Sequence, residues 1–153
     1  MRLIYLLSCL ESPQSYFGKG FGSSIDIINV APTASSARNI FFSGLIQYLE
    51  NSPLFKKLEE ISGEPINSNS TIIQFPKNIR LISGNSEHES WQGLNAIMIV
   101  LDEIDAFPSA QEIVTNRSLR SKGAEGVYDT AVTLVTSRFP TVGKVLSLSW
   151  PRF

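Results

Sequence analysis

The chain has 153 residues, of which 42% are hydrophobic and 18% are charged. This composition supports one folded domain and excludes both a disordered tail and a string of modules. Thirteen Lys and Arg residues against fourteen Asp and Glu residues give a net charge of -1, so any contact with a polyanion has to be local. The single cysteine, Cys9, excludes an internal disulfide framework.

The N-terminal segment is apolar, and Met1 to Leu10 is predicted to form a helix that ends before Pro13, with Cys9 packed in the core. A secretory signal peptide is the alternative, but the segment is short for one and carries one positive charge. No apolar run approaches the roughly 20 residues that cross a bilayer, so we expect no membrane association.

The next segments alternate between strand-like and helix-like apolar spacing, which is typical of an α/β fold. Ile25 to Ala31 is predicted to be a buried parallel strand, because it is rich in β-branched residues and is followed by Pro32. The spacing from Ala34 to Glu50 predicts an amphipathic helix that lies on the sheet. Thr71 to Phe75 and Ile79 to Ser83 are predicted to form a hairpin.

The C-terminal half continues the alternation. Ala96 to Leu101 is predicted to be an apolar strand, Val127 to Ser137 a helix, and Val145 to Ser149 a last strand. Gly63 to Asn69 and Ser118 to Gly126 are predicted to be loops.

Two adjacent carboxylates, Asp102 and Glu103, directly follow the apolar strand that ends at Leu101. In open α/β sheets, ligands bind beyond the carboxyl ends of the strands, and Mg²⁺ prefers oxygen ligands. Asp102 can therefore hold Mg²⁺, while Glu103 can orient and deprotonate a water that attacks a γ-phosphate, as in a Walker B motif. The alternative is a solvated acidic turn in which Asp102 caps the next helix.

Four short segments, taken in order and with their spacing, carry a family resemblance. Together they resemble the ATPase domain of large terminase subunits, the motors that package DNA into tailed-phage capsids. The segments are Val30-Ala31-Pro32-Thr33, Trp91-Gln92-Gly93-Leu94-Asn95, Leu101-Asp102-Glu103-Ile104-Asp105 and Ser147-Leu148-Ser149-Trp150-Pro151-Arg152.

The resemblance implies an α/β P-loop NTPase fold of the additional-strand, RecA-like type, with a mainly parallel sheet flanked by helices. It places Val145 to Ser149 between the Walker A and Walker B strands. It makes Asp102 the metal ligand and Glu103 the catalytic base, and it assigns Ser147 and Ser149 to a motif that couples nucleotide state to motion. Strand alternation puts both serines on the same face of the sheet.

The same resemblance implies the cofactors, partners and location of the protein. ATP and Mg²⁺ are the expected cofactors, and double-stranded DNA, the portal and a small terminase subunit are the expected partners. The complete protein is expected to be a homo-oligomer that works in the host cytoplasm at the procapsid portal.

The first departure from the terminase pattern is that no G-x-x-x-x-G-K-[S/T] loop occurs. In that family the loop lies upstream of the helix that Met1 to Leu10 continues, and a nuclease domain follows the ATPase domain. We therefore expect residues 1–153 to be one incomplete ATPase domain, truncated at both ends and inactive alone.

The second departure concerns the arginine finger, which serves the active site of a neighbouring subunit. Terminases often carry this arginine just before the glycine that corresponds to Gly93, but Gln92 stands here, and an amide cannot supply the charge. The finger is then missing or is one of four arginines, with Arg138 and Arg38 ahead of Arg117 and Arg120.

Two other classes of protein fit the same pattern. One is a superfamily 2-type helicase or another nucleic-acid translocase. The other is a non-catalytic binding or assembly protein that has kept the sheet and lost the P-loop.

Overall fold

The computed structural model describes residues 1–33, 42–85, 91–108 and 123–149. Its strands are β1 (Ile25–Ala31), β2 (Asn67–Ser68), β3 (Ile72–Phe75), β4 (Ile79–Asn85), β5 (Ala96–Leu101) and β6 (Lys144–Ser147). Its helices are α1 (Arg2–Cys9), α2 (Pro13–Tyr16), α3 (Ser43–Asn51), α4 (Pro53–Ser62) and α5 (Ala124–Arg138), and short 3₁₀ turns span Pro76–Asn78 and Ile104–Ala106.

The strands form one sheet in the order β2-β3-β4-β1-β5-β6. β4, β1, β5 and β6 run parallel to their neighbours, whereas β2 and β3 are antiparallel additions at one edge. Helices flank this sheet. The fold is the mainly parallel α/β arrangement that the apolar spacing predicts.

β1 lies in the middle of the sheet, and every one of its residues is buried. Alternate side chains enter two hydrophobic clusters. Ile25 and Ile27 join the cluster that contains Ile4 and Leu7 of α1, while Ile28 and Val30 join the cluster that contains Trp91 and α5. The central strand is therefore covered on both faces, as expected for a parallel sheet.

Most predicted elements are confirmed with small changes in their ends. β1 and β5 have the predicted bounds, the hairpin of β3 and β4 forms around Pro76–Asn78, and the predicted helix Val127–Ser137 extends to Ala124–Arg138. The last strand is Lys144–Ser147, so Ser149 lies beyond its end. Residues 34–41 and 118–122 of the predicted helix and loop lie outside the described residues.

Three features differ from the sequence-based expectations. Cys9 is exposed instead of packed in the core, and a hydrogen bond between Cys9 and Tyr5 raises the pKa of the tyrosine. Residues 67–68 of the predicted loop form β2, because they pair with β3. Helix α4, which begins at Pro53 and is followed by the left-handed Gly63, was not predicted from the sequence.

A buried ion pair joins β1 to β4 at the amino end of the sheet. The carboxylate of Asp26 is fully buried, and its Oδ1 accepts a hydrogen bond of 2.7 Å from Nε of Arg80. Its Oδ2 accepts hydrogen bonds from Nη2 of Arg80 at 3.0 Å and from the amide of Asn95 at 2.9 Å. These donors compensate the buried charge and tie β1 to β4 and to the start of β5.

Within the described ranges, the structure contains no helix that is long and apolar enough to cross a bilayer.

Candidate functional site

β1, β5 and β6 are parallel, so their carboxyl ends lie side by side at the same end of the sheet. The amide of Asp102 donates a hydrogen bond of 2.8 Å to the carbonyl of Val30, and the amide of Leu148 donates one of 2.8 Å to the carbonyl of Leu101. The amide of Ile104 then donates to the carbonyl of Leu148 at 3.1 Å. The turn that carries the two carboxylates is therefore fixed between its neighbouring strands.

Asp102 and Glu103 differ in exposure and in backbone conformation. Asp102 is half-buried, and Glu103 is exposed. Glu103 has φ 52° and ψ 49°, in the left-handed region that favours glycine. The left-handed conformation costs a residue with a side chain about 1–2 kcal/mol of conformational energy. The hydrogen bonds of Asp102 and Ile104, on either side of Glu103, help to maintain this unfavourable conformation.

The capping alternative for Asp102 is not what the structure shows. The short 3₁₀ turn after β5 has Glu103, not Asp102, at its N-cap position, and no side chain caps it. Among the residues that the structure describes, neither carboxylate makes a hydrogen bond or an ion pair. Both are therefore available to a ligand.

A cation at this edge fits the residues present. The described ranges contain no group of three or more His, Cys, Asp or Glu residues that could hold a metal ion by themselves. Mg²⁺ in nucleotide sites is commonly bound by one or two carboxylates together with the phosphates of the substrate. A single half-buried carboxylate such as Asp102 suits that mode and does not suit an all-protein metal cage.

The two serines of the predicted coupling motif lie beside this turn. Ser147 is the last residue of β6 and pairs with Leu101, and Ser149 follows two residues beyond it. Both serines are exposed. Because β6 ends at Ser147, the alternation that would put the two hydroxyls on the same face of the sheet does not extend to Ser149.

β6 occupies one edge of the described sheet. It pairs with β5 on one side, and the sheet order shows no described strand on its other side. Leu146 and Leu148 are 46% and 51% exposed there. The prediction that this strand is next to the strand carrying Asp102 is confirmed, whereas the predicted Walker A strand on its other side is not part of the described sheet.

Arg138 lies far from Asp102 and Glu103 along the strand direction. It is exposed in the last turn of α5, shortly before β6 begins at Lys144. Together with Gln92, Gly93 and residues of α5, Arg138 lines an open cleft of about 360 Å³ at the amino end of the sheet. The structure thus brings Arg138 and Gln92 together and separates both from the carboxylates of the same chain.

The other candidate arginines, Arg38, Arg117 and Arg120, lie outside the described residues, as do Trp150, Pro151 and Arg152 of the last motif.

One residue of this region was missed by the sequence analysis. Asn29 lies in the middle of β1, is 1% exposed, and neither atom of its side-chain amide has a hydrogen-bond partner. Asparagine is disfavoured in strands, so its presence within an otherwise apolar run is the signal that could have singled it out.

Trp91, of the Trp-Gln-Gly-Leu-Asn segment, has a structural role. Its ring is fully buried, and its Nε1 donates a hydrogen bond of 3.1 Å to the carbonyl of Asn85 at the end of β4. The ring lies so close to Gly84 that a Cβ there would be 3.2 Å from Cδ1 of Trp91. The contact fixes the start of the segment that leads to β5.

Comparison with known proteins gives a family for this fold. All of residues 1–153 match the family described as the N-terminal P-loop domain of the uncharacterized protein MJ0330. The MJ0330 protein of Methanocaldococcus jannaschii is 26% identical over 150 residues, which are 95% of this chain and 24% of that protein. The chain thus spans about a quarter of that relative's length. Because the family match covers the whole chain, and the sheet is mainly parallel with carboxylates at its carboxyl edge, the chain belongs to the MJ0330 N-terminal P-loop domain family.

Proposed function

We propose that this domain binds ATP with Mg²⁺ and hydrolyses it, as part of a motor of the terminase type that moves double-stranded DNA. The observation that carries the proposal is the turn after β5, where hydrogen bonds fix Asp102 and hold Glu103 in a left-handed conformation. Membership of a P-loop domain family supports nucleotide binding. The order of the four terminase-like segments supports the motor function.

Each carboxylate has one task in this reaction. Asp102 would hold Mg²⁺, which would neutralise charge that develops on the phosphates of ATP. Glu103 orients a water and takes its proton as the water oxygen bonds to the γ-phosphorus. The bond between that phosphorus and the bridging oxygen of ADP breaks in the same displacement, which leaves ADP and inorganic phosphate.

The edge of β6 is the proposed place of the strand that carries the phosphate-binding loop. The exposed side chains of Leu146 and Leu148 and the open edge of this strand support the proposal. A loop on such a strand would reach the carboxyl edge beside Ser147, and backbone amides with a Lys would hold the β- and γ-phosphates. Ser147 and Ser149 would then lie between that loop and the turn of Glu103, where a change in the γ-phosphate can be transmitted to the chain.

The proposed partners follow from the terminase resemblance. Double-stranded DNA, a portal and a small terminase subunit are the proposed partners, a homo-oligomer is the proposed assembly, and the host cytoplasm at the procapsid portal is the proposed location. A superfamily 2-type helicase or translocase is one alternative. It would use the same two carboxylates but would move along or unwind a nucleic acid instead of packaging DNA into a capsid. A non-catalytic assembly protein is the other alternative, and it would also lack a G-x-x-x-x-G-K-[S/T] loop, as residues 1–153 do.

Asp102→Ala in the full-length protein tests the proposed function. We expect the wild-type protein to hydrolyse ATP in a Mg²⁺-dependent reaction that double-stranded DNA stimulates. We expect the variant to bind the Mg²⁺–nucleotide complex at least ~10-fold more weakly, because a charged metal ligand is lost. Titration of a fluorescent ATP analogue with and without MgCl₂ measures this difference.

The matched control for this test is Glu60→Ala on the exposed surface of α4, which should bind as the wild type does. If the wild-type protein neither binds nor hydrolyses ATP, the non-catalytic assembly protein is the correct assignment. If ATP is hydrolysed without stimulation by DNA, the proposed ATP hydrolysis is supported and the proposed role as a DNA motor is contradicted.

Arg138→Ala tests whether the finger has moved from the position of Gln92 to the other side of the same cleft. Arg138 lies near the amino ends of the strands, whereas Glu103 of the same chain lies at their carboxyl ends. A catalytic role for Arg138 therefore requires that it reach the site of a neighbouring subunit. We expect the variant to lose most DNA-stimulated turnover, about 10³-fold for a complete finger, while nucleotide affinity is kept, because a finger acts chiefly in the transition state.

Mixing experiments separate action on a neighbouring subunit from action within the chain. Mixed oligomers of Arg138→Ala and Glu103→Gln chains should recover part of the turnover that each variant lacks, since one chain supplies the arginine and the other the carboxylate. Wild-type turnover in Arg138→Ala would rule out Arg138 as the finger, and the same result for Arg38, Arg117 and Arg120 would rule out the relocation.

A further inference from the structure

Asn29 is the most unusual polar residue of the described sheet. Its side chain is 1% exposed, and both its Oδ1 and its Nδ2 lack a hydrogen-bond partner. More than nine-tenths of buried polar groups in proteins are paired, because an unpaired one loses its bonds to water and gains nothing in return. A structural role does not account for an amide that stabilises nothing in the folded domain.

The register of the sheet shows which face Asn29 occupies. It pairs with Ser83 of β4 on one side and with Val100 of β5 on the other. Residues two apart on a strand share a face, so Asn29 lies on the same face as Ile27, and its partner Val100 lies on that face of β5. Asp102 comes two residues after Val100, directly beyond the end of β5, and is the first acidic residue after this pair toward the carboxyl ends of the two strands.

The distance between the two residues is short enough for their side chains to meet. Strands are ~4.8 Å apart, and two residues along a strand span ~6.6 Å, so the Cα atoms of Asn29 and Asp102 are separated by roughly 8 Å. An amide and a carboxylate that extend toward each other cover most of that distance. The amide of Asp102 is held on the carbonyl of Val30, the residue after Asn29, which fixes this neighbourhood.

We propose that Asn29 is a positioning residue of the nucleotide site, whose Nδ2 donates a hydrogen bond to the carboxylate of Asp102 when Mg²⁺ and nucleotide are bound. This inference rests on the proposed function. The hydrogen bond fixes the direction of the carboxylate and leaves its other oxygen to the cation, as outer residues commonly do for metal ligands. The unpaired amide of Asn29 then lowers the stability of the unliganded domain, and the hydrogen bond formed on nucleotide binding offsets this loss.

Asn29→Leu in the full-length protein tests the proposal, since leucine has a similar volume and no polar atoms. We expect the variant to require at least ~10-fold more MgCl₂ for half-maximal binding of a fluorescent ATP analogue, the scale of loss for such supporting residues. Without nucleotide we expect its Tm to rise, because the unpaired amide is gone. A residue with only a structural role would give the opposite pair of results, a lower Tm and an unchanged Mg²⁺ requirement.

The matched control is Ser83→Ala, which alters the other neighbour of Asn29 on the side away from Asp102 and should leave the Mg²⁺ requirement unchanged. If Asn29→Leu does not give soluble protein, Asn29→Val removes the amide with a side chain suited to a strand. A normal Mg²⁺ requirement in either variant, with a wild-type protein that binds Mg²⁺–ATP, overturns the inference alone. A wild-type protein without Mg²⁺-dependent binding overturns the inference together with the proposed function.

Discussion

Glu103→Gln is expected to lower ATP turnover of the full-length protein by about two orders of magnitude or more, the scale that the loss of a general base produces. Glutamine keeps the shape of the side chain and the left-handed backbone but cannot take the proton of the attacking water. Nucleotide affinity should change little, since Asp102 and the phosphate-binding groups are intact. Single-turnover hydrolysis and equilibrium binding, measured on the same preparation, separate the two effects.

Glu60→Gln is the matched control, because Glu60 is an exposed glutamate on α4 and has no place in the proposed site. It should hydrolyse ATP at the wild-type rate. Equal turnover for the wild type and Glu103→Gln would contradict the assignment of Glu103, and loss of binding in that variant would move its role from catalysis to nucleotide affinity.

Arg80→Met is expected to have the largest effect on stability among the substitutions considered. It leaves the fully buried carboxylate of Asp26 without its cation, and removal of one member of a buried pair typically costs about 3–5 kcal/mol in the free energy of unfolding. The amide of Asn95 and the hydroxyl of Ser24 still donate to Asp26 but do not neutralise it. Urea denaturation of the wild type and the variant measures the difference.

The double variant Asp26→Leu, Arg80→Met tests the cause of that loss. If the uncompensated charge is responsible, removing the carboxylate as well should recover most of the lost stability, because a buried ion pair replaced by apolar residues is often neutral. Lys56→Met, on the exposed face of α4, serves as a surface control. A loss below about 1 kcal/mol in Arg80→Met would mean that the pair behaves like a surface ion pair.

Elements whose signals are local could be predicted from the sequence. The β-branched run before Pro32, the apolar run before Asp102 and the hairpin around Pro76–Asn78 all formed as predicted, because burial on both faces and turn chemistry are encoded in neighbouring residues. The candidate pair Asp102 and Glu103 could also be identified from the sequence, since the two carboxylates directly follow a predicted buried strand. The α/β class followed from the alternation of these patterns.

Properties that depend on residues far apart in sequence were set by strand pairing and packing in the fold. Cys9 sits on an apolar helix, yet only the packing of α1 shows that its side chain is exposed. Glu103 is left-handed between two residues, Asp102 and Ile104, whose amides donate to the carbonyls of Val30 and Leu148, and no local pattern contains these partners. Asn29 lies beside Val100, two residues before Asp102, because of the register in which β1 and β5 pair at this point, and Arg138 lies beside Gln92 because α5 ends at the cleft that precedes β5. Strand pairing and helix packing determine these neighbours, so the local sequence pattern could not predict them.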